Sequence, residues 1–295
     1  MDPYRSMLFV PAHKEGWARK GAAANADAVI LDLEDAVPPD QKAAARARLP
    51  EAIAEAREVK PNIGIVVRAN HWSSPEAPAD YEAIVRCGAD AAMVPKVDDV
   101  HELVRLDAVL EHIERMAGGA KPLELIATLE TARGVANRDA IANGPRVRGM
   151  LGASAKGADI ARSIGFEWTA EGLETLFLRS GVVIASRAAV SCHPIVGMWQ
   201  DIKDLEGFEK YSAAQRGLGF LGQVVIHPSH VEITNRAFSP SATQVAYYQG
   251  MVDAYEKAVA GGHGAVIYDG EHIDLAHVEN AREVVAFAAG VAQRS

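Results

Sequence analysis

Short, nearly uninterrupted apolar runs alternate along this chain with longer segments in which apolar residues recur at helical spacing. Near-continuous apolar strands are typical of a parallel sheet that is covered on both faces, whereas half-exposed strands alternate between apolar and polar residues. The pattern therefore predicts eight strands of a mainly parallel sheet. They are Met7–Pro11, Ala28–Leu33, Ile63–Arg68, Ala91–Val97, Leu123–Thr131, Val147–Ser154, Val190–Val196 and Gln223–His227.

Helical patterns fill most of the gaps between these strands. The predicted helices are Asp40–Val59, His101–Met116, Ala170–Ala189 and Asp204–Leu218, and either Asp98 or Asp99 can cap the second of them. Eight strands that alternate with helices predict an α/β fold, a (β/α)₈ TIM barrel. An open doubly wound sheet has fewer strands, and no GxGxxG motif follows the first strand.

The alternation of predicted strands and helices changes after residue 238. We predict a TIM-barrel catalytic domain over residues 1–238 and a small helical C-terminal appendage over residues 239–295, which packs on the barrel or on a neighbouring subunit. The appendage begins at Ser239-Pro240-Ser241, and its predicted elements are a helix Ala242–Ala260, a short strand Ala265–Tyr268, a turn Asp269-Gly270 and a helix His277–Ala292.

Two acids lie at the carboxyl ends of two successive strands, Glu130 near the end of the fifth and Asp159 a few residues after the sixth. Neighbouring strands of a parallel barrel deliver the residues at their carboxyl ends to one face, where barrels carry their function. Two carboxylates, with water and substrate completing the shell, are a common way to hold Mg²⁺. The other polar residues at strand ends are Asp32, Glu34, Asp35, Arg68, Asn70, Lys96 and His227.

Each of these residues also has a structural interpretation. Glu130 can pair with Arg133, and Asp159 can cap the helix after it. Arg68 faces substrate or is an internal partner of Asp32 or Glu34. The acidic run Asp32, Glu34 and Asp35 either supports the metal or forms a solvated surface. Lys96 forms either a Schiff base or an ion pair. His227 is either catalytic or a packing and hydrogen-bonding residue.

Composition narrows the class of protein. Of the 295 residues 49% are hydrophobic, and the formal net charge is −9, which disfavours a nucleic-acid surface. Cys87 and Cys192 are far apart and form no CxxC pair, so free thiols in a reducing compartment are expected. No signal segment and no apolar run of about 20 residues is present, which predicts a cytoplasmic protein without membrane contact.

Several catalytic motifs are absent from the sequence. It contains no GxxxxGK[ST], HExxH or GxSxG segment, which disfavours nucleotide hydrolysis, zinc proteolysis and serine esterase chemistry.

Six segments in register resemble one family. The chain resembles the citrate lyase β-subunit-like and malyl-CoA lyase branch of the HpcH/HpaI aldolase family over nearly its whole length, including the tail that holds Asp274. The segments are Arg5–Ala12, Ile30–Val37, Val67–Asn70, Met93–Val97, Leu129–Val135 and Val225–Pro228.

The resemblance implies a Mg²⁺-dependent barrel that assembles as a homotrimer or homohexamer. By this resemblance Glu130 and Asp159 are the metal ligands, and Glu34 and Asp35 lie near the water molecules of the metal. Arg68 faces the keto acid and the enolate oxygen. By the same resemblance Arg5 and Lys20 are basic contacts to the CoA phosphates. Asp274 matches a catalytic tail aspartate that reaches the site of a neighbouring subunit.

The implied reaction is carbon–carbon bond cleavage or formation in a 3-hydroxyacyl-CoA such as malyl-CoA or citramalyl-CoA, giving an acyl-CoA and a 2-oxo acid. Three alternatives are kept: a malyl-CoA thioesterase, a CoA-independent 2-oxo acid aldolase and a non-catalytic subunit. The aldolase is favoured by two departures from the family pattern: Gln223 replaces a lysine, and the run Cys192–Val196 lacks the aspartate that usually follows its proline. A third departure is the segment Ala153–Asp159, where the family usually has glycine and acidic residues.

Overall fold

The computed structural model describes residues 3–119, 121–189 and 191–294. Its first unit ends at Phe238 and its second begins at Ser239. The first unit is a closed barrel of eight parallel strands in sequential order, in which the first strand pairs with both the second and the eighth. The predicted (β/α)₈ architecture is confirmed.

The strands lie within or close to the predicted runs. They are β1 Ser6–Pro11, β2 Ala28–Asp32, β3 Gly64–Arg68, β4 Ala91–Val94, β5 Glu124–Leu129, β6 Val147–Gly152, β7 His193–Val196 and β8 Gly222–Val225. Val190, the predicted start of the seventh strand, lies outside the described residues.

Both faces of each strand are buried, which explains the uninterrupted apolar runs. On β2, Ala28 and Ile30 belong to the cluster that fills the barrel, whereas Val29 and Leu31 pack in the layer beneath the helices. Side chains alternate between these two layers because successive residues of a strand point to opposite faces.

Helices connect the strands, and several were not predicted. The helices of the first unit are α1 Trp17–Ala23, α2 Lys42–Ala47, α3 Leu49–Val59, α4 Ala77–Cys87, α5 Val100–Met116, α6 Ala132–Ala136, α7 Arg138–Ala142, α8 Asp159–Ile164, α9 Leu176–Ala188, α10 Leu205–Leu218 and α11 Ser229–Ala237. The single helix predicted over Asp40–Val59 is two helices, with Pro50 in the first turn of α3, where proline is tolerated. Asp99 caps α5 by accepting a hydrogen bond from the His101 amide at 3.0 Å.

The second unit contains α12 Ala242–Ala260, a hairpin of β9 Val266–Tyr268 and β10 Glu271–Ile273, and α13 Leu275–Arg294. Ser241 and Gln244 form a reciprocal capping box at the start of α12, with contacts of 2.9 and 3.1 Å. The hairpin turns at Asp269 and Gly270, both with positive φ, as a two-residue turn requires.

Among the described residues, no helix is both long and apolar enough to cross a bilayer.

Candidate active site

Arg68 and Asp32 form a two-point ion pair at the carboxyl ends of the strands. They are the last residues of β3 and β2, and their Cα atoms are register partners. The guanidinium donates from Nε and Nη2 to the two carboxylate oxygens, both at 2.7 Å. Arg68 also lies over the ring of Phe9, 4.8 Å from its centroid. This two-point contact and the ring fix the arginine in one orientation.

Glu34 and Asp35 lie on the other side of the same guanidinium. Arg68 Nη1 is 3.2 Å from Glu34 Oε2 and 3.3 Å from Asp35 Oδ2. Burial raises the pKa of Glu34 to about 8, because the nearby charges of Asp35 and Glu130 reinforce the loss of water and Arg68 offsets only part of it. The Glu34 carboxyl group therefore binds a proton more readily than an ordinary glutamate does.

A buried hydrogen-bond network fixes the loop that carries Glu34. Asp32 accepts the amides of Glu34 and Ala36 at 2.9 and 3.0 Å. Lys42 donates to the Glu34 carbonyl at 2.6 Å and to Asn70 Oδ1 at 2.8 Å. Asn70 is therefore a supporting residue in this network.

Glu130 is the first residue after β5 and is held in place by the start of α6. Thr131 caps α6 by accepting the Gly134 amide at 3.0 Å, and its hydroxyl donates to Asp98. A Cβ at Gly134 would lie 2.3 Å from the Val97 carbonyl oxygen, so only glycine allows this approach. The residues around Glu130 thus tie the ends of β4 and β5 together.

The Glu130 carboxylate is available for a ligand. It forms no hydrogen bond or ion pair with any described residue, and Arg133, its alternative partner, lies 3.5 Å from Asp99 instead. Burial raises the pKa of Glu130, and the charges of Asp159 and Asp35 add to this effect while Arg68 and Lys96 oppose it. A cation placed here would relieve that unfavourable burial of charge.

Asp159 is the first residue of α8 and pairs with Lys96. The Lys96 ammonium is 2.7 Å from Asp159 Oδ2, and Arg162 Nη2 is 2.5 Å from Oδ1. The hydrogen bond from Lys96 lowers the pKa of Asp159. Asp159 does not cap α8. Lys96 has a φ of +50°, a left-handed conformation that is uncommon for lysine. The ion-pair interpretation of Lys96 matches this contact.

The donor set fits a hard divalent cation. Glu130 and Asp159 supply two carboxylates, and the charge of Asp159 acts on the Glu130 carboxyl group. No cluster of three or more potential ligands from His, Cys, Asp and Glu occurs among residues 3–119, 121–189 and 191–294. Two acids with the remaining positions left to water and substrate are typical of Mg²⁺, whereas structural zinc sites usually have four protein ligands.

A cavity of about 420 Å³ opens beside Arg68. Its apolar wall includes Phe9, Trp17, Met198 and Ile226, and its polar side includes Asp32, Asp35 and Arg68. Pockets of this kind, mostly apolar with a few converging polar groups, are typical of small-molecule sites. Sequence analysis missed Trp17 and Met198, which have no feature that distinguishes them from core residues.

His13 was also missed. It follows β1, and its buried Nδ1 has no hydrogen-bond partner among the described residues. Burial and the charge of Lys14 lower the pKa of His13, and the charge of the nearby Asp32 offsets part of this decrease. Its neighbour in sequence, Ala12, donates its amide to the Asp32 carbonyl at 3.1 Å.

Arg5 lies at the opposite end of the barrel. It precedes β1, and its guanidinium is buried against Asp27, which precedes β2, with Nη2 2.7 Å from Oδ1. Because the ligand-facing residues follow the strands, this position does not fit the predicted contact with CoA phosphates, and we leave Arg5 out of the proposed site.

Lys20, Asp274, Gln223 and His227 occupy different positions. Lys20 is exposed on α1. Asp274 lies in the second unit, where it is 2.6 Å from His277 Nδ1. Gln223 is buried in β8 and accepts a hydrogen bond from Ser212 at 2.8 Å. His227 follows β8 and contacts Ser229 through Nδ1 at 2.7 Å. The roles predicted for Lys20 and Asp274 remain predictions.

Comparison with known proteins assigns the barrel to a group of enzymes. A sequence model of the HpcH/HpaI aldolase/citrate lyase family matches residues 5–228. A (3S)-malyl-CoA thioesterase from Cereibacter sphaeroides is 32% identical over 290 residues, which cover 98% of this chain and 96% of that protein. An L-malyl-CoA/β-methylmalyl-CoA lyase from the same species is 32% identical over 304 residues, covering 96% and 94%.

A similar solved structure is the protein CitE from Mycobacterium tuberculosis in complex with magnesium, acetoacetate and coenzyme A. It superposes with a TM-score of 0.75 at 28% sequence identity, and the alignment covers 97% of this chain and 98% of that one.

Proposed function

Since this chain belongs to the HpcH/HpaI aldolase/citrate lyase family and is a carbon–carbon lyase, we propose that it cleaves or forms a 3-hydroxyacyl-CoA thioester, with an acyl-CoA and a 2-oxo acid as the other side of the reaction. One observation carries the proposal: Glu130, which has no hydrogen-bond or ion-pair partner among the described residues, and Asp159 follow adjacent strands, and the charges of Asp159 and Arg68 act on the Glu130 carboxyl group. The family and the enzyme class predicted from sequence are confirmed; the substrate is the proposed part.

We assign Glu130 and Asp159 as the ligands of Mg²⁺. When bound, the ion would orient the 2-oxo acid and polarise its carbonyl group as a Lewis acid. The metal would compete for Asp159 with the Lys96 ammonium, 2.7 Å from Oδ2, and with the Arg162 guanidinium, 2.5 Å from Oδ1. Glu34 and Asp35, which contact Arg68 Nη1, would bind water molecules of the metal.

Arg68 stabilises the charge that develops in the reaction. In the cleavage direction a nearby carboxylate accepts the proton of the 3-hydroxyl group, the bond between C2 and C3 breaks, and the electron pair moves onto the thioester oxygen as an enolate. Asp32 holds the guanidinium in one orientation, so a donor is in place for that oxygen before the charge appears.

Protons move through carboxyl groups near this guanidinium. Glu34 is suited to this because its pKa of about 8 lies near neutral pH. Protonation of the enolate carbon completes the acyl-CoA, and Asp274 from a neighbouring subunit remains the proposed donor for that step. The homotrimer or homohexamer that this role requires is also a prediction.

A malyl-CoA thioesterase is the second candidate, favoured by the 32% identity to a (3S)-malyl-CoA thioesterase. The two reactions differ in their products. A lyase releases a 2-oxo acid and leaves the thioester intact, whereas a thioesterase releases free CoA thiol and a hydroxy acid.

The test is product analysis after incubation with malyl-CoA or citramalyl-CoA and Mg²⁺. A lyase produces 2-oxo acid, measured as its phenylhydrazone, and acyl-CoA in equal amounts without free thiol. Glu130→Gln abolishes both products, and the matched change Glu232→Gln at an exposed position on α11 does not. Free thiol without 2-oxo acid supports the thioesterase. Absence of every product contradicts CoA chemistry and favours the CoA-independent aldolase or the non-catalytic subunit.

A further inference from the structure

A second pocket lies beside the candidate active site. It has a volume of about 250 Å³. Its lining combines three large apolar side chains, Trp168, Met198 and Trp199, which we call its floor, with the polar and charged residues Lys156, Gln200, Asp201 and Asp204. The Lys156 ammonium has no hydrogen-bond or ion-pair partner among the described residues. The pocket therefore offers an apolar aromatic surface beside charged groups.

The aromatic residues of this pocket pack on one another. The rings of Trp168 and Trp199 meet edge to face with centroids 5.5 Å apart, and Trp199 packs on Tyr211 at 5.3 Å. The Tyr211 hydroxyl is 3.1 Å from Ser154 Oγ, which ties α10 to the segment after β6. The indole Nε1 of Trp199 is buried without a hydrogen-bond partner among the described residues. A preformed pocket of this kind loses little conformational freedom when it binds a ligand.

Two features connect this pocket to the proposed metal site. Met198 lines both this pocket and the cavity that contains Arg68. Lys156 precedes the proposed ligand Asp159 by three residues in the same loop. A ligand that is bound at the metal and extends towards β6 and β7 would enter this pocket.

We propose that the pocket receives the substituent of the 2-oxo acid, and that the enzyme selects 2-oxo acids with an aryl or similarly bulky apolar substituent. This inference rests on the proposed function, because it places the 2-oxo acid at the metal. Two tryptophans and a methionine provide an apolar surface for a ring, and a methyl group would leave most of this volume unfilled.

The test is calorimetric titration of the Mg²⁺-loaded protein with phenylpyruvate and with pyruvate. The wild-type protein is expected to bind phenylpyruvate about tenfold more tightly, because only its ring reaches the pocket. Ala170→Trp places a large side chain at the exposed rim; it removes this preference and leaves pyruvate affinity within about twofold. Ala54→Trp, an exposed change on α3, leaves both affinities unchanged.

Trp168→Ala supplies a second test, since it removes part of the floor without filling the pocket. This variant is expected to weaken the binding of phenylpyruvate more than the binding of pyruvate. Equal wild-type affinities for the two acids, or a preference that survives Ala170→Trp, overturn the subsite while the proposed function stands. Absence of Mg²⁺-dependent binding for both acids overturns the subsite and the proposed function together.

Discussion

The ammonium group of Lys96 lies 2.7 Å from Asp159 Oδ2, so a cation of the protein itself occupies one oxygen of a proposed metal ligand. Lys96 is held there in a left-handed backbone conformation, with φ at +50°. Its pKa is raised, first by the hydrogen bond to Asp159, so the ammonium stays charged. A metal bound at the proposed site would therefore compete with Lys96 for this carboxylate.

Replacing Lys96 is expected to strengthen metal binding. Lys96→Met frees Asp159 Oδ2 and should lower the Mg²⁺ dissociation constant about two- to fivefold, the range expected for a partly exposed ion pair. Calorimetric titration with Mg²⁺ measures this. Lys156→Met, which removes a lysine without an ion-pair partner in the described chain, should leave the constant within about twofold. Unchanged or weaker Mg²⁺ binding by Lys96→Met would contradict the competition.

Glu34 should make the metal-free protein less stable as the pH rises. Its pKa is raised from 4.5 to about 8 in the folded protein, so between these values the folded state binds more protons than the unfolded state. Stability therefore falls as the pH increases through this window. Glu34→Gln should remove that part of the slope. Urea unfolding in EDTA at pH 5.5 and pH 8 measures it, with Glu232→Gln as the control. Parallel pH profiles for Glu34→Gln and wild type would show that Glu34 is ionised at neutral pH.

The pair of Arg5 and Asp27 should matter for stability and not for substrate. Both side chains are at least nine-tenths buried, so Arg5→Gln leaves the Asp27 carboxylate uncompensated at a cost of roughly 3–5 kcal/mol of unfolding free energy. Urea unfolding measures the loss. Arg19→Gln breaks an exposed ion pair with Glu58 and should have no measurable effect.

Measurement of KM distinguishes a structural role of Arg5 from a role in CoA binding. Arg5→Lys keeps a positive charge against Asp27 and should leave the KM for the CoA thioester unchanged. A tenfold increase in KM, with stability retained, would contradict the placement of Arg5 at the amino end of the barrel.

Gly134 is expected to tolerate no side chain. Gly134→Ala places a Cβ 2.3 Å from the Val97 carbonyl oxygen, so the segment that follows Glu130 must shift. We expect a loss of about 1–3 kcal/mol in unfolding free energy and weaker Mg²⁺ binding. Gly217→Ala in α10 meets no atom within 4 Å and should stabilise the protein by about 0.4–1 kcal/mol. Equal effects of the two changes would show that the contact with Val97 imposes no constraint.

The barrel was predictable because burial on both faces gives each strand an apolar run that is visible in sequence. The order of strands and their alternation with helices then fix the topology. Short helices such as α6, α7 and α8 were missed, since five or six residues contain too little periodicity. The prediction of one continuous helix over Asp40–Val59 was wrong, because residues 42–59 form two helices with a break before Leu49.

The candidate site was only partly predictable. Position at a strand end identified Glu130, Asp159 and Arg68, because every parallel strand delivers its last residues to one face. Which charges pair is decided by side-chain reach in three dimensions, and this placed Arg5 with Asp27. The walls of the two pockets come from Trp17, Trp168, Met198 and Trp199, whose residue types are equally common in a core.

The most direct test of the central claim is calorimetric titration of pyruvate into the protein with and without Mg²⁺, repeated with Glu130→Gln. If Glu130 and Asp159 hold the metal that orients the 2-oxo acid, pyruvate binds the wild-type protein only when Mg²⁺ is present, and Glu130→Gln abolishes the Mg²⁺-dependent heat. Pyruvate binding that is equal in the two conditions, or that survives Glu130→Gln, would contradict the metal site and assign the acid pair a structural role.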